Sequence, residues 1–221
     1  MKVPTMRVTC LSDTHFKHRY IDTRAFTNTD ILIHAGDFTG NGNATQTLSF
    51  LQWFSDLDVP HKILIAGNHD FKASSQDFPS MLAQFPSIIY LRNSSTEING
   101  LKIWGSPYSN TFGQWAFMKD DLELADIWET IPEDTDIVIT HGPAYGIGDL
   151  VDNDYEPGRD KHVGSQSLRL KLQKLKKLKL HVTGHIHSGY GTYFKEKYVT
   201  INGAQLDDYY QCINPPLSVV L

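Results

Sequence analysis

Five apolar, β-branched runs in this chain each end in a short stretch of His, Asp, Asn and Gly, and that repetition constrains the fold more than any other feature. The stretches are Asp13-Thr14-His15, Gly36-Asp37, Ala66-Gly67-Asn68-His69-Asp70, His141-Gly142-Pro143 and Gly184-His185-Ile186-His187. The runs before them include Ile31-Leu32-Ile33 and Ile63-Leu64-Ile65. Continuous apolar runs of this kind suit strands buried on both faces. A Gly beside an Asn-His pair suits a tight loop that brings polar side chains close to a ligand. One such stretch alone reads as an ordinary turn. Five of them at strand ends imply loops that converge on one sheet edge, where ligands bind in sheets flanked by helices.

The residue types point to metal. Asp, His and Asn supply oxygen and nitrogen ligands of intermediate hardness, which suit Mn²⁺, Fe or Zn²⁺, and the thiolates of a structural zinc site are missing. In an extended segment Asp13 and His15 project from the same side, and so do His185 and His187. Together the stretches offer about seven ligands, too many for one ion of this kind and suited to two ions sharing a carboxylate.

Length and composition agree with an ordinary globular protein. The 221 residues suffice for one domain with a sizeable core, expected to span 1–221. A net charge of −5 favours neither nucleic acid nor an anionic membrane. No apolar run approaches the roughly 20 residues of a membrane helix. The start, Met1-Lys2-Val3-Pro4, lacks the apolar region of a signal peptide. Cys10 and Cys212 are too few for a disulfide framework and read as reduced thiols of a cytoplasmic protein.

Along the chain, strands are expected at 6–11, 31–34, 62–66, 88–91, 135–140, 180–183, 198–201 and 217–221, the last two closing the sheet. Asn99-Gly100 marks a hairpin over 97–104. Helices are expected at 47–57, 77–85, 122–128 and from Ser165 or Ser167 to about Lys179. Segments 105–120 and 142–164 read as loops, and long loops in compact domains carry function. The basic residues of the last helix, from Arg169 to Lys179, lie largely off its leucine stripe and read as a solvated face.

As a set, Asp-x-His, Gly-Asp, Gly-Asn-His-Asp, Thr-His-Gly-Pro and Gly-His-Ile-His, in this order, resemble the calcineurin-like metallophosphoesterase superfamily. His34 to Thr39, the Trp115-x-Phe117 loop, His162-Val163-Gly164, Ser188 to Gly191 and Asn214-Pro215-Pro216 resemble its metallophosphoesterase domain-containing branch, related to class III cyclic nucleotide phosphodiesterases. The resemblance implies an α+β fold of four layers, α/β/β/α, with two packed mixed sheets flanked by helices. It implies a dinuclear, metal-dependent phosphodiesterase acting on small phosphodiesters, cyclic nucleotides foremost. The cofactors would be two divalent ions (Mn, Fe or Zn), with Mn expected to support activity best. By resemblance Asp13, His15 and His187 bind one ion, Asn68, His141 and His185 the other, and Asp37 bridges them. His69 stands by the leaving group, and Asn68, His69, Trp115 and His162 face the substrate.

One position departs from the pattern. Many relatives carry an acid three residues after the bridging Asp, where it can orient the catalytic His; here that position is Gly40, and Asp70 is the available substitute. His34, His61 and His181 read as satisfied core residues, Cys10 as core, and His18 as undecided. His162 faces either substrate or solvent. Trp115, Phe117, Tyr145 and Tyr190 either stack on a nucleobase or pack the loops. The alternative activities are a phosphomonoesterase or protein phosphatase, for which Arg159 and Lys161 are the nearby cations, and a nucleotide-binding or scaffold protein with a weakened centre. The expected partner is a small phosphodiester or nucleotide, with neither membrane nor nucleic acid.

Overall fold

The apolar runs build two sheets whose inner faces share one core. In the computed structural model, which describes residues 5–151 and 161–221, the strands are β1 (Arg7–Leu11), β2 (Ile31–Ala35), β3 (His61–Ile65), β4 (Ile88–Tyr90), β5 (Ser94–Ile98) and β6 (Leu101–Ser106). They continue with β7 (Ser109–Asn110), β8 (Met118–Lys119), β9 (Ile137–Thr140), β10 (Leu150–Val151) and β11 (Lys161–His162). The last four are β12 (Leu180–Thr183), β13 (Gly191–Tyr193), β14 (Val199–Asn202) and β15 (Leu217–Val220). The first sheet has the order β15-β1-β2-β3-β4, parallel except for β15. The second has the order β13-β14-β12-β9-β6-β5, with antiparallel strands only at its two edges.

Alternation along each strand sorts the layers. Val8, Cys10, Ile31, Ile33, Ile63 and Ile65 of the first sheet meet Ile103, Ile137, Ile139, Leu180, Val182 and Ile201 of the second. The intervening Leu11, Leu32 and Leu64 point outward, onto Phe50, Leu51 and Phe54 of α1 (Ala44–Asp56). On the far side Trp104 and Val138 pack under Leu124 and Trp128 of α3 (Asp121–Glu129) and Leu168 and Leu172 of α4 (Gln166–Lys174). The short α2 (Phe78–Leu82), which falls between α1 and α3 in sequence, packs its Phe78 on the α1 side. Each such side chain, fully removed from water, is worth roughly 1.5–3 kcal/mol. The layers are therefore α/β/β/α, as the resemblance implied.

Several boundaries differ from expectation, each for a local reason. Helix α1 starts at Ala44, because the Asn43 side chain accepts the Gln46 N–H and caps it. Helix α2 is shorter than 77–85; Pro86 disfavours helix at the residue before it. Helix α4 stops at Lys174, where Leu175 turns extended, and Lys179 N–H already donates to Asp136 O beside the sheet. Strands β14 and β15 join two different sheets rather than closing one; β14 is interior, and the edge strand β13 beyond it is additional. The loops 105–120 and 142–164 contain the ladders β7–β8 and β10–β11. The solvated-face reading of α4 fails at Lys171, which is buried with its Nζ 3.0 Å from Glu129 Oε2.

Candidate metal centre

The carboxyl ends of β1, β2, β3, β9 and β12 face one another across the two sheets. Direct bonds stitch them together. Asp13 N–H donates to Gly36 O (2.9 Å), Gly184 N–H to His141 O (3.1 Å), and Ser12 N–H to Gly203 O (2.8 Å). The backbone leaves the extended region here: Asp13, His15, Phe16, Asp37 and His185 have φ of 51°, 39°, 65°, 54° and 69°. Non-glycine residues in that region are strained, and such strain clusters at functional sites. The alternation that was expected to pair Asp13 with His15, and His185 with His187, therefore does not operate. Left-handed turns aim these side chains instead, and they send His185 and His187 to different clusters. At Gly67 and Gly184 a Cβ would collide with the carboxylates of Asp37 and Asp13 respectively, so the chain needs glycine there.

Two triads that share no residue result, each with its donor atoms within 4.8 Å of one another: Asp13, His15 and His187, and Asp37, His141 and His185; a third group of the same spacing, His15, Asp37 and His69, links them. Asp37 Oδ2 lies 3.8 Å from His15 Nε2 and 3.4 Å from His141 Nε2, so it stands between one member of each triad. Asn68 Oδ1 lies 2.9 Å from His141 Nε2. Backbone carbonyls hold the outer nitrogens: His141 Nδ1–H donates to Ala35 O (2.8 Å) and His187 Nδ1–H to Asp207 O (2.9 Å). That leaves each Nε2 facing inward, the arrangement found for ligating histidines.

The donor set fits divalent cations on its own chemistry. Asp13 Oδ1 is fully buried without a hydrogen-bond partner. His15 Nε2 and His187 Nε2 lie 3.2 Å apart and 3.9 and 3.7 Å from that oxygen. Burial opposes ionisation of Asp13 and Asp37, yet the facing imidazoles, led by His187 and His141, hold both carboxyls well below the usual range. Burial alone would lower His141 and His187 too, but Asp37 and Asp13 raise each to about 9. Desolvation drives His15 to about 4 and His185 to about 3, although His185 keeps an edge open to solvent. Concentrated negative charge among nitrogen donors calls for a positive partner.

His69 sits beside this cluster, with a ring nitrogen within 4.8 Å of a His15 nitrogen and an Asp37 carboxylate oxygen. Its N–H donates to Asp37 Oδ1 (2.8 Å) and its Nδ1–H to the carbonyl of Gly40 (2.9 Å). The position where an acid was missed thus still orients the ring, through its backbone. Asp70 does not substitute. Its buried carboxylate accepts from Gly67 N (2.8 Å), Thr39 N (2.9 Å) and Thr39 Oγ1 (2.7 Å), locking two loops together. Burial raises Asp70 to about 7, with Asp37 adding to the shift. Trp115 stacks on His69 at 4.3 Å and 29° and stays partly exposed.

A cleft of about 780 Å³ opens from the His185 side. Its wall includes Tyr108, Phe112, Tyr145 and His162 but neither His69 nor Trp115. His162 is exposed toward the cleft, with Nδ1 2.7 Å from Asp149 Oδ1. Phe117 is packed under Arg92 and against Tyr108, and Tyr190 donates to Pro215 O (2.8 Å), so both serve loop packing. Lys161 lines the cleft; Arg159 lies outside the described residues. His34 is satisfied by Thr14 Oγ1 and Gly36 N–H, as expected. His61, at a strand start, is only half-buried, and buried His181 pairs Nε2 with Thr140 Oγ1 while its Nδ1 has no partner. His18 is buried among Phe16, Phe50 and Trp53, away from the centre. Tyr210 was not anticipated. Its ring packs 5.0 Å from His15 and 5.2 Å from His187, on a backbone with φ 58°. Nothing in the polar segment around it marks it in advance.

The sequence and the fold have counterparts among known proteins. The chain is 34% identical to human metallophosphoesterase domain-containing protein 1, covering 97% of this chain and 71% of that protein, with the same figures for the mouse protein. One solved structure superposes with a TM-score of 0.69 at 15% identity, over 98% of this chain and 99% of that one. Protein TT1561 of Thermus thermophilus superposes with a TM-score of 0.63 at 13% identity, over 90% and 89%. The model of the calcineurin-like phosphoesterases matches residues 6–189, the span that carries every one of the five strand-end stretches, and the chain belongs to that family of metal-dependent phosphoester hydrolases.

Proposed function

We propose that the chain is a dinuclear phosphodiesterase of small phosphodiesters, cyclic nucleotides among them, with Mn²⁺ as the ion that best supports activity. The observation that carries this is Asp37, whose Oδ2 lies between His15 and His141, one from each triad. Asp13, His15 and His187 would hold one ion, Asn68, His141 and His185 the other, and Asp37 both. When bound, two such ions supply the positive charge that polarises the phosphoryl oxygens and makes water acidic enough to attack at neutral pH.

The protein's own groups do the rest. Asp37 Oδ1 accepts from His69 N–H, which fixes that loop against the centre. With Nδ1–H held on Gly40 O, a protonated His69 has only Nε2–H to give, and the departing oxygen takes it as the P–O bond breaks. Such acid assistance is worth roughly 10²–10⁴-fold. Trp115, stacked on the ring, keeps it in plane and excludes water from one face. Among the described residues lining the cleft the one Lys or Arg is Lys161, which suits a monoanionic diester better than a dianionic monoester.

No helix among the described residues is long and apolar enough to cross a membrane. Free Cys10 and Cys212 fit a reducing compartment, and the cytoplasm is the proposed location. Hydrolysis of bis-p-nitrophenyl phosphate against p-nitrophenyl phosphate, with Mn²⁺ added, tests the reading. The diester is expected to turn over faster. A faster monoester would favour the phosphomonoesterase, and activity on neither would favour a binding protein.

A further inference from the structure

His15 is held differently from its neighbours in the centre. The outer nitrogens of His141, His187 and His69 each donate to a backbone carbonyl. The Nδ1 of His15 is buried and has no hydrogen-bond partner among the described residues. Its Nε2 is the nitrogen that faces Asp13, Asp37 and His187. An imidazole ligand without an outer partner takes no orientation from hydrogen bonding. Its ring has to be held by packing, and three rings meet it edge to face: His69 at 4.6 Å and 87°, Tyr210 at 5.0 Å and 67°, and His187 at 5.2 Å and 61°. Two of these belong to the centre itself. Tyr210 does not.

A compact turn places that ring. Asp207 Oδ1 accepts from Tyr209 N–H (3.0 Å) and Gln211 N–H (2.7 Å), and Asp207 O accepts from Tyr210 N–H (2.9 Å). Asp207 N–H donates back to Gln211 O (3.0 Å), and Leu206 pairs with Cys212. Tyr210 takes a φ of 58°, a conformation that is costly for a residue other than glycine and that these bonds impose. The turn is tied to both histidines of the first triad. Asp207 O also accepts from His187 Nδ1–H, and Lys17 Nζ, two residues beyond His15, donates to Tyr210 O. The Tyr210 ring then packs on both imidazoles, 5.0 Å from His15 and 5.2 Å from His187, and is itself 44% exposed, whereas His15 is 7% exposed. The turn lies beyond residues 6–189, the span that matches the calcineurin-like phosphoesterases.

Building on the dinuclear reading, we propose that Tyr210 is a positioning residue of the first ion's site: its ring holds His15 in the ligating orientation and covers that site from solvent, so that the turn at 206–212 sets how tightly the first ion is kept. The aromatic body does this and the hydroxyl does not. The second ion, among Asn68, His141 and His185, does not depend on it.

Mn²⁺ binding to the whole chain tests this. Calorimetry is expected to find two ions on the parent and on Tyr210→Phe, with closely similar affinities. Tyr210→Ala is expected to bind one of the two about tenfold more weakly, the low end of what losing an orienting partner costs a metal site. In crystals grown at a Mn²⁺ concentration near that weakened constant, the anomalous peak among Asp13, His15 and His187 is expected to lose occupancy and the other to keep it. Tyr210→Gly removes the same ring and suits the φ of 58°, so it repeats the loss if alanine disturbs the turn. Tyr209→Ala, at a residue 84% exposed in the same turn, is expected to leave both ions as in the parent. Unchanged affinities in Tyr210→Ala and Tyr210→Gly would overturn the proposal. So would an equal loss in Tyr210→Phe or Tyr209→Ala, or a loss confined to the second ion. If the parent binds a single ion, the dinuclear reading has failed on its own. Weakening of that ion in Tyr210→Ala, with Tyr210→Phe intact, then supports the role of the ring, and an unchanged constant refutes it. A parent that binds no ion overturns both.

Discussion

At the residue scale, the centre combines side chains that read directly from the sequence with backbone groups that do not. Asp13, His15 and His187 gather in one triad and Asp37, His141 and His185 in the adjoining one, with Asn68 beside His141. His69 is the residue on which chemistry and ligation are hardest to separate, because its nitrogen lies close to both Asp37 and His15. In the proposed mechanism it is the acid for the leaving oxygen, and it can then be removed without emptying the centre. His69→Ala is expected to lower kcat roughly 10²–10⁴-fold while metal analysis of the purified variant finds full content. Loss of metal in that variant would make His69 a ligand. The candidate ligands were legible because Asp and His at strand ends have few structural uses. What orients them was not, since carbonyls of Ala35, Gly40 and Asp207 do that work and any residue type supplies a carbonyl. The missing acid at position 40 therefore suggested a defect where the geometry has an equivalent.

At the scale of elements, the site depends on loops pinned at their crossing points. Asp70 pins two of them by accepting from Gly67, Thr39 and, at 3.3 Å, Phe38 N–H. Asp70→Ala would leave these buried donors without acceptors, each unmade bond costing about 1–3 kcal/mol before relaxation. A net loss near 3 kcal/mol lowers the melting temperature by about 6–12 °C in a chain of this size. A thermal melt within about 2 °C of the parent would show that water replaces the carboxylate. The strands were legible from their apolar runs because both faces are buried, and the outward Leu and inward Ile both had to be apolar. Helix ends were less so. Capping by Asn43, Asp120 and Ser165 decides where three helices begin, and packing decides where α4 ends. Which sheet a strand joins is set by crossovers, which is why β14 and β15 could not be separated by pattern alone.

For the whole molecule, buried neutral imidazoles couple stability to pH. Burial pushes His18 down to about 4, and His34 and His181 to about 3. The unfolded chain protonates these near 6.5 while the folded chain does not, so between about 6.5 and 4 the unfolded state binds more protons and stability falls as the pH falls. The metal-free protein is expected to lose melting temperature steadily from pH 7 to pH 4, and His181→Gln to reduce the slope. A flat profile would place these rings in contact with water. The whole account rests on the two sheets delivering their loops to a shared carboxylate. Anomalous scattering from crystals grown with Mn²⁺ tests that most directly. Two peaks about 3.5–4 Å apart are expected with Asp37 between them, one among Asp13, His15 and His187 and the other among Asn68, His141 and His185. A single peak away from Asp37, or none, would contradict it.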